Sequence, residues 1–399
     1  PSRRYKMIFQ VESEESRWAR YHLPLSLAYS ANGINWVRPT HVNPILRGVS
    51  DGGWSFIYDR DRRTYQLYTR RVPNLPRDIS LYESTDLINW EDKGRILVPG
   101  DDYDPPELFN FQGLTPFFYG DFCLAVLNTQ YSLPTSETYE VFYEPPAEWA
   151  GRKLGHVDVQ LAYSRDGRNW LRPDDRTPLI PNGGPGSPDE GTIFIPSANP
   201  FTVDGDTYIY YTAVRYQHND RGQRAYMKAH DYDMRRAVSI MLAKMPEDHW
   251  ISLDAGDAEG SFTCKAWGPP HEVFVNADAA GGEITAELVT PYGEPVPGCT
   301  RADCVPITGD GKDQQVHWPA VPHPWDRQAD YLGGVMVRFY LRNAKLYSYT
   351  FTLPDPTGEL ELERQNARWT DHIRHRSDSW DRASHEPATG VPPRSDSPI

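Results

Sequence analysis

The chain has 399 residues, a formal net charge of −14, 13% aromatic residues, 36 Pro and 30 Gly. That length predicts one large or two ordinary domains, and the acidic balance argues against nucleic acid or an anionic membrane as partner. No apolar run approaches the roughly 20 residues of a membrane span, and no signal peptide is legible, so a cytoplasmic and an exported location both stay open.

Abundant aromatic, Pro and Gly residues with few helix-forming runs predict an all-β protein rich in loops. Cys123, Cys264, Cys299 and Cys304 are too few for a disulfide scaffold, and no CxxC pair points to zinc. Cys299 and Cys304 flank a short loop and could pair in an exported protein.

In chain order, the first strand is "RRYKMIFQV" (3–11), followed by "LSLAYSANGINW" (25–36). The next unit reads "GGWSFIYD" (52–59), "RTYQLYTRR" (63–71) and "ISLYESTDLINW" (79–90). A third reads "GLTPFFYG" (113–120), "GDFCLAVLN" (120–128) and "VQLAYSRDGRNW" (159–170). A fourth reads "TIFIPSANPFTVDG" (192–205), "GDTYIYYTAV" (205–214) and a degraded "VSIMLAKMPEDHW" (238–250). Each repeat is thus first strand, hairpin, second strand, variable loop, third strand, tight turn and Trp strand. A repeated four-stranded unit predicts the blades of a β-propeller. The first blade lacks its N-terminal strand; counting gives four or five blades, and five are expected, the fifth supplied partly by residues before Pro1 and partly by the segment after Trp250. The Ser and Asp of each hairpin should satisfy turn backbone groups, while its Trp wedges between blades.

From about 256 the Trp hairpin disappears. "GSFTCKAW", "HEVFVNAD", "GEITAELV", "GGVMVRFYL" and "KLYSYTFTL" alternate as strands between Gly, Pro and Asp turns. The expected organisation is a propeller over 1–255, a β-sandwich over 256–355 and a polar tail over 356–399.

In a propeller the first strands line the channel, and ligands bind at one mouth. The starts of three first strands are rich in acids: Asp51 in "GVSDGGWSF"; Asp101, Asp102, Asp104 and Glu107 in "DDYDPPELFNFQG"; Asp189 and Glu190 in "GSPDEGTIF". Glycosidic hydrolysis needs one carboxyl to protonate the leaving oxygen and a second as base or nucleophile, with a third tuning the pair. The same residues also suit turns. Second strands end in Arg70, Arg71, Asn128, Gln130, Arg215 and His218, side chains suited to sugar hydroxyls or a sugar carboxylate. Trp54, Phe109 and Tyr131 could stack on a sugar ring.

The blade grammar, the "YSxDGxNW" hairpins and the trailing sandwich resemble the five-bladed β-propeller glycoside hydrolases of families 32 and 43, over roughly residues 1–355. The sandwich resembles the C-terminal module of the family 32 group. The resemblance implies a glycosidase with three acids on successive blades. Family 32's nucleophile, Arg-Asp-Pro and Glu-Cys motifs are absent, so roles follow the blade alignment. Asp51 then stands as base or nucleophile, Glu107 as acid, and Asp189 with Glu190 as the third acid or a substitute for either; Asp104 is a further candidate, and an acid on the first blade's opening strand could displace any of these. The implied partner is a carbohydrate, with self-association through the sandwich or tail possible. No cofactor is expected, although His218 and the acids could hold Ca²⁺ or a transition metal. The alternative is a non-catalytic carbohydrate-binding propeller.

Overall fold

The computed structural model describes residues 2–10, 24–49, 52–71, 76–120, 122–132, 153–194, 199–266, 269–331 and 334–352. The chain divides into two compact units, Pro1–Met245 and Pro246–Ile399. Both are built from β-strands; one α-helix, Asp220–Ala229, occurs among the described residues, and no described helix is long and apolar enough to cross a membrane.

In the first unit, β1 (Tyr5–Gln10), β2 (Leu25–Ser30) and β3 (Trp36–Val37) make a three-stranded antiparallel sheet. β4 (Ser55–Asp59), β5 (Thr64–Thr69), β6 (Ile79–Ser84) and β7 (Glu91–Leu97) make a four-stranded meander in the order read from the repeat. The third sheet has seven strands: β8 (Leu108–Tyr119), β9 (Phe122–Tyr131), β10 (Val157–Ser164), β11 (Thr192–Phe194), β12 (Phe201–Val203), β13 (Asp206–Val214) and β14 (Val238–Pro246). A short parallel pairing, Val157 with Thr192, merges the third and fourth repeats into that one sheet.

Several details differ from the sequence pattern. β8 begins at Leu108 rather than Gly113, running through two register shifts that bring polar Asn110 and Gln112 into the strand. The fourth opening strand is split into β11 and β12, both paired with β13. The fourth hairpin does not form its Trp strand in the first unit. Counting back from Trp250, Lys244 and Pro246 stand where the other copies have the anchoring Ser and Asp.

The other three turns share one hydrogen-bond pattern. Ser164 Oγ accepts from the backbone N–H of Asp166 and Gly167, while Asp166 Oδ1 accepts from those of Arg168 and Asn169. The Trp170 indole N–H donates to Gly167 O at 3.0 Å. Ser84 and Asp86 repeat this around Leu87, and Ser30 and Asn32 around Gly33. The central residue has φ of +78° at Gly33, +67° at Leu87 and +68° at Gly167, the left-handed region that favours glycine. Gly167 is further constrained because a Cβ there would lie 2.7 Å from Gln66 Oε1 and from the Tyr68 hydroxyl. Leu87 instead buries its side chain in a core shared with Leu25, Leu27 and Leu67.

These turns join sheet to sheet. Tyr68 donates to Gly167 O at 2.9 Å, Trp170 lies edge-on to Tyr68, and Arg168 grips buried Glu83 through two bonds of 3.0 and 2.7 Å. A single core then runs from Tyr68, Ile79 and Leu81 on the second sheet to Phe111, Leu114, Leu127 and Trp170 on the third. Trp36, by contrast, is exposed.

The second unit holds two antiparallel sheets. β15 (Leu253–Ala255), β21 (Ala344–Phe351), β17 (Val273–Asp278) and β19 (Asp310–Val316) form one in that order; β16 (Gly260–Ala266), β20 (Val335–Arg342) and β18 (Glu283–Val289) form the other. Both contribute to one core, from Val273 and Val275 to Leu288, Phe339 and Trp318. β15 pairs with β21, which places Leu253–Ala255 in this unit, before the expected start at 256. Cys299 and Cys304 are unbridged thiols within this core, so the conditional disulfide is not formed. The expected tail lies outside the described residues.

The turn carboxylates make stability depend on acid. Burial opposes ionisation of Asp86, but hydrogen bonds from the Asn89 and Ile88 N–H groups and from the Asn89 and Ser84 side chains outweigh it and hold its carboxyl at about 2. The same balance lowers Asp166. Both contribute stability above an unfolded value of about 3.9, lost as pH falls through their depressed folded values. Asp86→Asn and Asp166→Asn proteins are therefore expected to lose less stability than the parent between about pH 5 and pH 2, read by thermal melting. Parallel curves would contradict this.

Candidate functional site

In the antiparallel repeat, the start of a first strand, the end of a second and the start of a third share one sheet end. On the seven-stranded sheet, that end is laced by backbone bonds. Ser132 N–H donates to Glu107 O at 2.7 Å, and Gly155 N–H donates to Tyr131 O at 2.6 Å. His218 N–H donates to Gly155 O at 2.6 Å, and Val157 N–H to Gly191 O at 3.2 Å. Glu107, the Asp189–Glu190 pair and His218 are thereby brought to one edge.

Within that edge the loop 182–191 is compact. Glu190 Oε2 accepts from Gly186 N–H at 2.7 Å, and Arg215 donates to Gly186 O at 2.7 Å and to Arg236 O at 3.0 Å. Asp189 Oδ2 accepts from the Tyr211 hydroxyl at 2.8 Å. Burial, then that hydrogen bond and the carboxylate's charge, push the Tyr211 phenol up to about 12, so it remains a donor. A Cβ on Gly183 would fall 2.2 Å from Ser187 Oγ and 2.3 Å from Asp189 Oδ1, so only glycine lets these side chains approach. Two carboxylates and a guanidinium are thus held by one loop, each partly exposed.

Other candidates have different surroundings. Asp51 lies outside the described residues. Asp104 has its side chain buried between Arg172 (2.6 Å) and Arg176 (3.0 Å), and Asp101 pairs with the same two guanidiniums. This cluster ties the loop before β8 to the segment after the third hairpin. Arg70 is buried and donates to Gln112 Oε1 at 2.5 Å and to Gly52 O at 3.3 Å. Gln112 donates to Gln130, whose amide donates to His218 O at 3.0 Å. Asn128 is buried and donates to Ile193 O at 2.9 Å. Arg71 pairs with Asp92, Trp54 packs against the core of the first two sheets, and the His218 ring lies edge-on to Phe194 at 5.1 Å. His218 joins no metal-ligating group among the described residues.

Among the buried acids not singled out from sequence, Asp78 and Asp158 each lie immediately before or at the start of a third strand. Asp78 pairs with Arg95 at 2.8 Å. Asp158 accepts from Thr129 and from the Tyr131 hydroxyl, the latter at 2.9 Å; burial raises its carboxyl against those bonds. The hairpin alignment itself held the signal, since both acids directly precede its first aligned residue, Ile79 or Val159.

No family model matches the chain, and no curated protein matches it in sequence. Among solved structures it is similar to a thermostable family-43 glycoside hydrolase, at 18% identity over 52% of this chain and 51% of that one, with a TM-score of 0.33. A second is a family 117 glycoside hydrolase produced by the marine bacterium Zobellia galactanivorans, at 16% identity over 49% and 53%, with a TM-score of 0.31. A third is an N-acetylgalactosamine deacetylase from F. plautii in complex with blood group B trisaccharide, at 12% identity over 62% and 74%, with a TM-score of 0.36. The first two alignments span about half the length of those hydrolases.

Because Asp104 is buried between two cations, Asp104→Ala would leave Arg172 and Arg176 with only the more exposed Asp101 as partner. It is expected to cost about 1–3 kcal/mol of unfolding free energy in urea titration. Unchanged stability would show that the ion pairs contribute nothing.

Proposed function

We propose that the protein is a glycoside hydrolase on a five-bladed β-propeller followed by a β-sandwich, cleaving a poly- or oligosaccharide with carboxylates at the propeller mouth. The observation that carries this reading is the convergence of Glu107, Asp189, Glu190 and Arg215 at one end of the seven-stranded sheet. Partly exposed carboxylates beside a guanidinium suit a site that must handle protons and hold sugar oxygens. In this reading Glu107 protonates the leaving oxygen, Asp51 acts as base or nucleophile, and the Asp189–Glu190 pair with Arg215 orients the sugar. Arg70 and Asn128, turned into bonds between strands, position the edge and do not touch the sugar. The commitment of Asp104 to two arginines favours a second reading, a non-catalytic carbohydrate-binding protein, because it removes one acid from the set.

A screen of the purified chain on aryl-glycosides and polysaccharides separates these readings. Hydrolysis is expected, with Glu107→Gln and Asp51→Asn each lowering kcat roughly 10²–10⁴-fold. Full activity in both variants would overturn the assignment, and sugar binding without hydrolysis would establish the second reading.

A further inference from the structure

The second unit places His271, Glu272 and His323 together, with one ligand atom from each lying within 4.8 Å of the others. Two imidazoles and a carboxylate are the donor set of a zinc-type site with one coordination position left for water. We propose that these three residues bind a divalent transition metal of the zinc class.

Three observations support the site beyond proximity. The His323 Nδ1 atom is buried and has no hydrogen-bond partner among the described residues. A buried lone pair or N–H left so is costly, and coordination through Nδ1 would satisfy it. His271 Nδ1 lies 3.8 Å from Glu272 Oε2, and the His271 and His323 rings, stacked at 4.3 Å and 8°, would turn out of that stack to aim both lone pairs at one metal. The backbone under the first two ligands is fixed: His271 N–H donates to Thr352 O at 2.8 Å, Thr352 N–H to Glu272 O at 3.0 Å, and Glu272 N–H to Thr352 Oγ1 at 3.1 Å.

Glu272 also has an outer partner. Gln315 on β19 donates to its Oε1 at 3.3 Å, leaving Oε2 toward His271. Such partners orient ligating carboxylates and raise metal affinity. Zinc bonds of about 2.0–2.2 Å set ligand atoms roughly 3.3 Å apart, so the three groups must close by about 1.5 Å. Rotations of three partly exposed side chains supply that movement.

The site would tie the head of β17 to the long connection between β19 and β20, where His323 precedes the 3₁₀ turn Pro324–Asp330. A metal clip across such a connection restricts the unfolded chain and holds the turn against the core.

The test uses the full chain, freed of metal by chelation and titrated with Zn²⁺ by calorimetry and with Co²⁺ by visible absorption. One Zn²⁺ per chain is expected, with the intense spectrum of four-coordinate Co²⁺ and a higher Tm on zinc addition. His323→Ala and His271→Ala should each abolish that site, and Glu272→Gln and Gln315→Ala should each weaken it roughly 10–100-fold. Circular dichroism checks that each variant is folded; Gln315→Ala, which removes no ligand, keeps the proposal testable if a histidine variant unfolds. A chain with His372, His375 and His385 all changed to Ala should retain the site. Failure to bind zinc, unchanged binding in the folded His323→Ala protein, or loss of binding only in that triple variant would overturn the proposal.

Discussion

The tight turn that ends the third strand of the first three repeats is the constraint on which the first unit depends. Its Ser and Asp side chains each accept two backbone N–H groups, so four donors are satisfied within a few residues. The Gly167 N–H is buried, and left unmet it would cost on the order of 1–3 kcal/mol. With all four satisfied, the turn can be pressed against a neighbour. Gly167 O then meets the Tyr68 hydroxyl, and Trp170 packs edge-on against the same ring. Local turn chemistry is thereby converted into docking of one sheet on the next.

That docking decides which strand ends meet. A buried polar chain runs from Arg70 through Gln112 and Gln130 to the His218 carbonyl, crossing from the second sheet to the far strands of the third. Such a chain tolerates little slippage, because a one-residue shift would strand its members in the core. The acids divide accordingly. Glu83, Asp104 and Asp158 have buried side chains and hold elements together, while Glu107, Asp189 and Glu190 sit in partly exposed loops at the sheet's end. Position relative to the packed sheets, rather than residue type, separates a carboxylate committed to holding elements together from one left open to solvent.

The repeat made the strand order of the second sheet readable, because period-two alternation and an Asp or Gly turn both point to the same hairpins. It failed where a strand carries polar residues inward. Asn110 and Gln112 hid the first half of β8, and the polar "DGKDQQV" hid β19, an edge strand. Asp189 and Glu190 share one loop, and Arg215, just after β13, bonds to its Gly186 carbonyl. Arg70 and Asn128 were expected to face a ligand, yet lie buried in cross-strand bonds; a strand-end residue can turn inward or outward, and sequence spacing does not distinguish the two. Asp104 looked like its neighbours in an acidic run, and only the distant Arg172 and Arg176 reveal its role. The alliance of His271 and Glu272 with His323 is likewise invisible in sequence, since two sheets must fold before those rings stack.

In the proposed function, turn-driven docking of the sheets builds a carbohydrate site at one end of the seven-stranded sheet. A crystal structure of the Glu107→Gln protein soaked with an oligosaccharide chosen from the substrate screen tests it most directly. Sugar density is expected in contact with residue 107, the Asp189–Glu190 pair and the Arg215 guanidinium. Sugar bound away from that edge, with those side chains untouched, would contradict it.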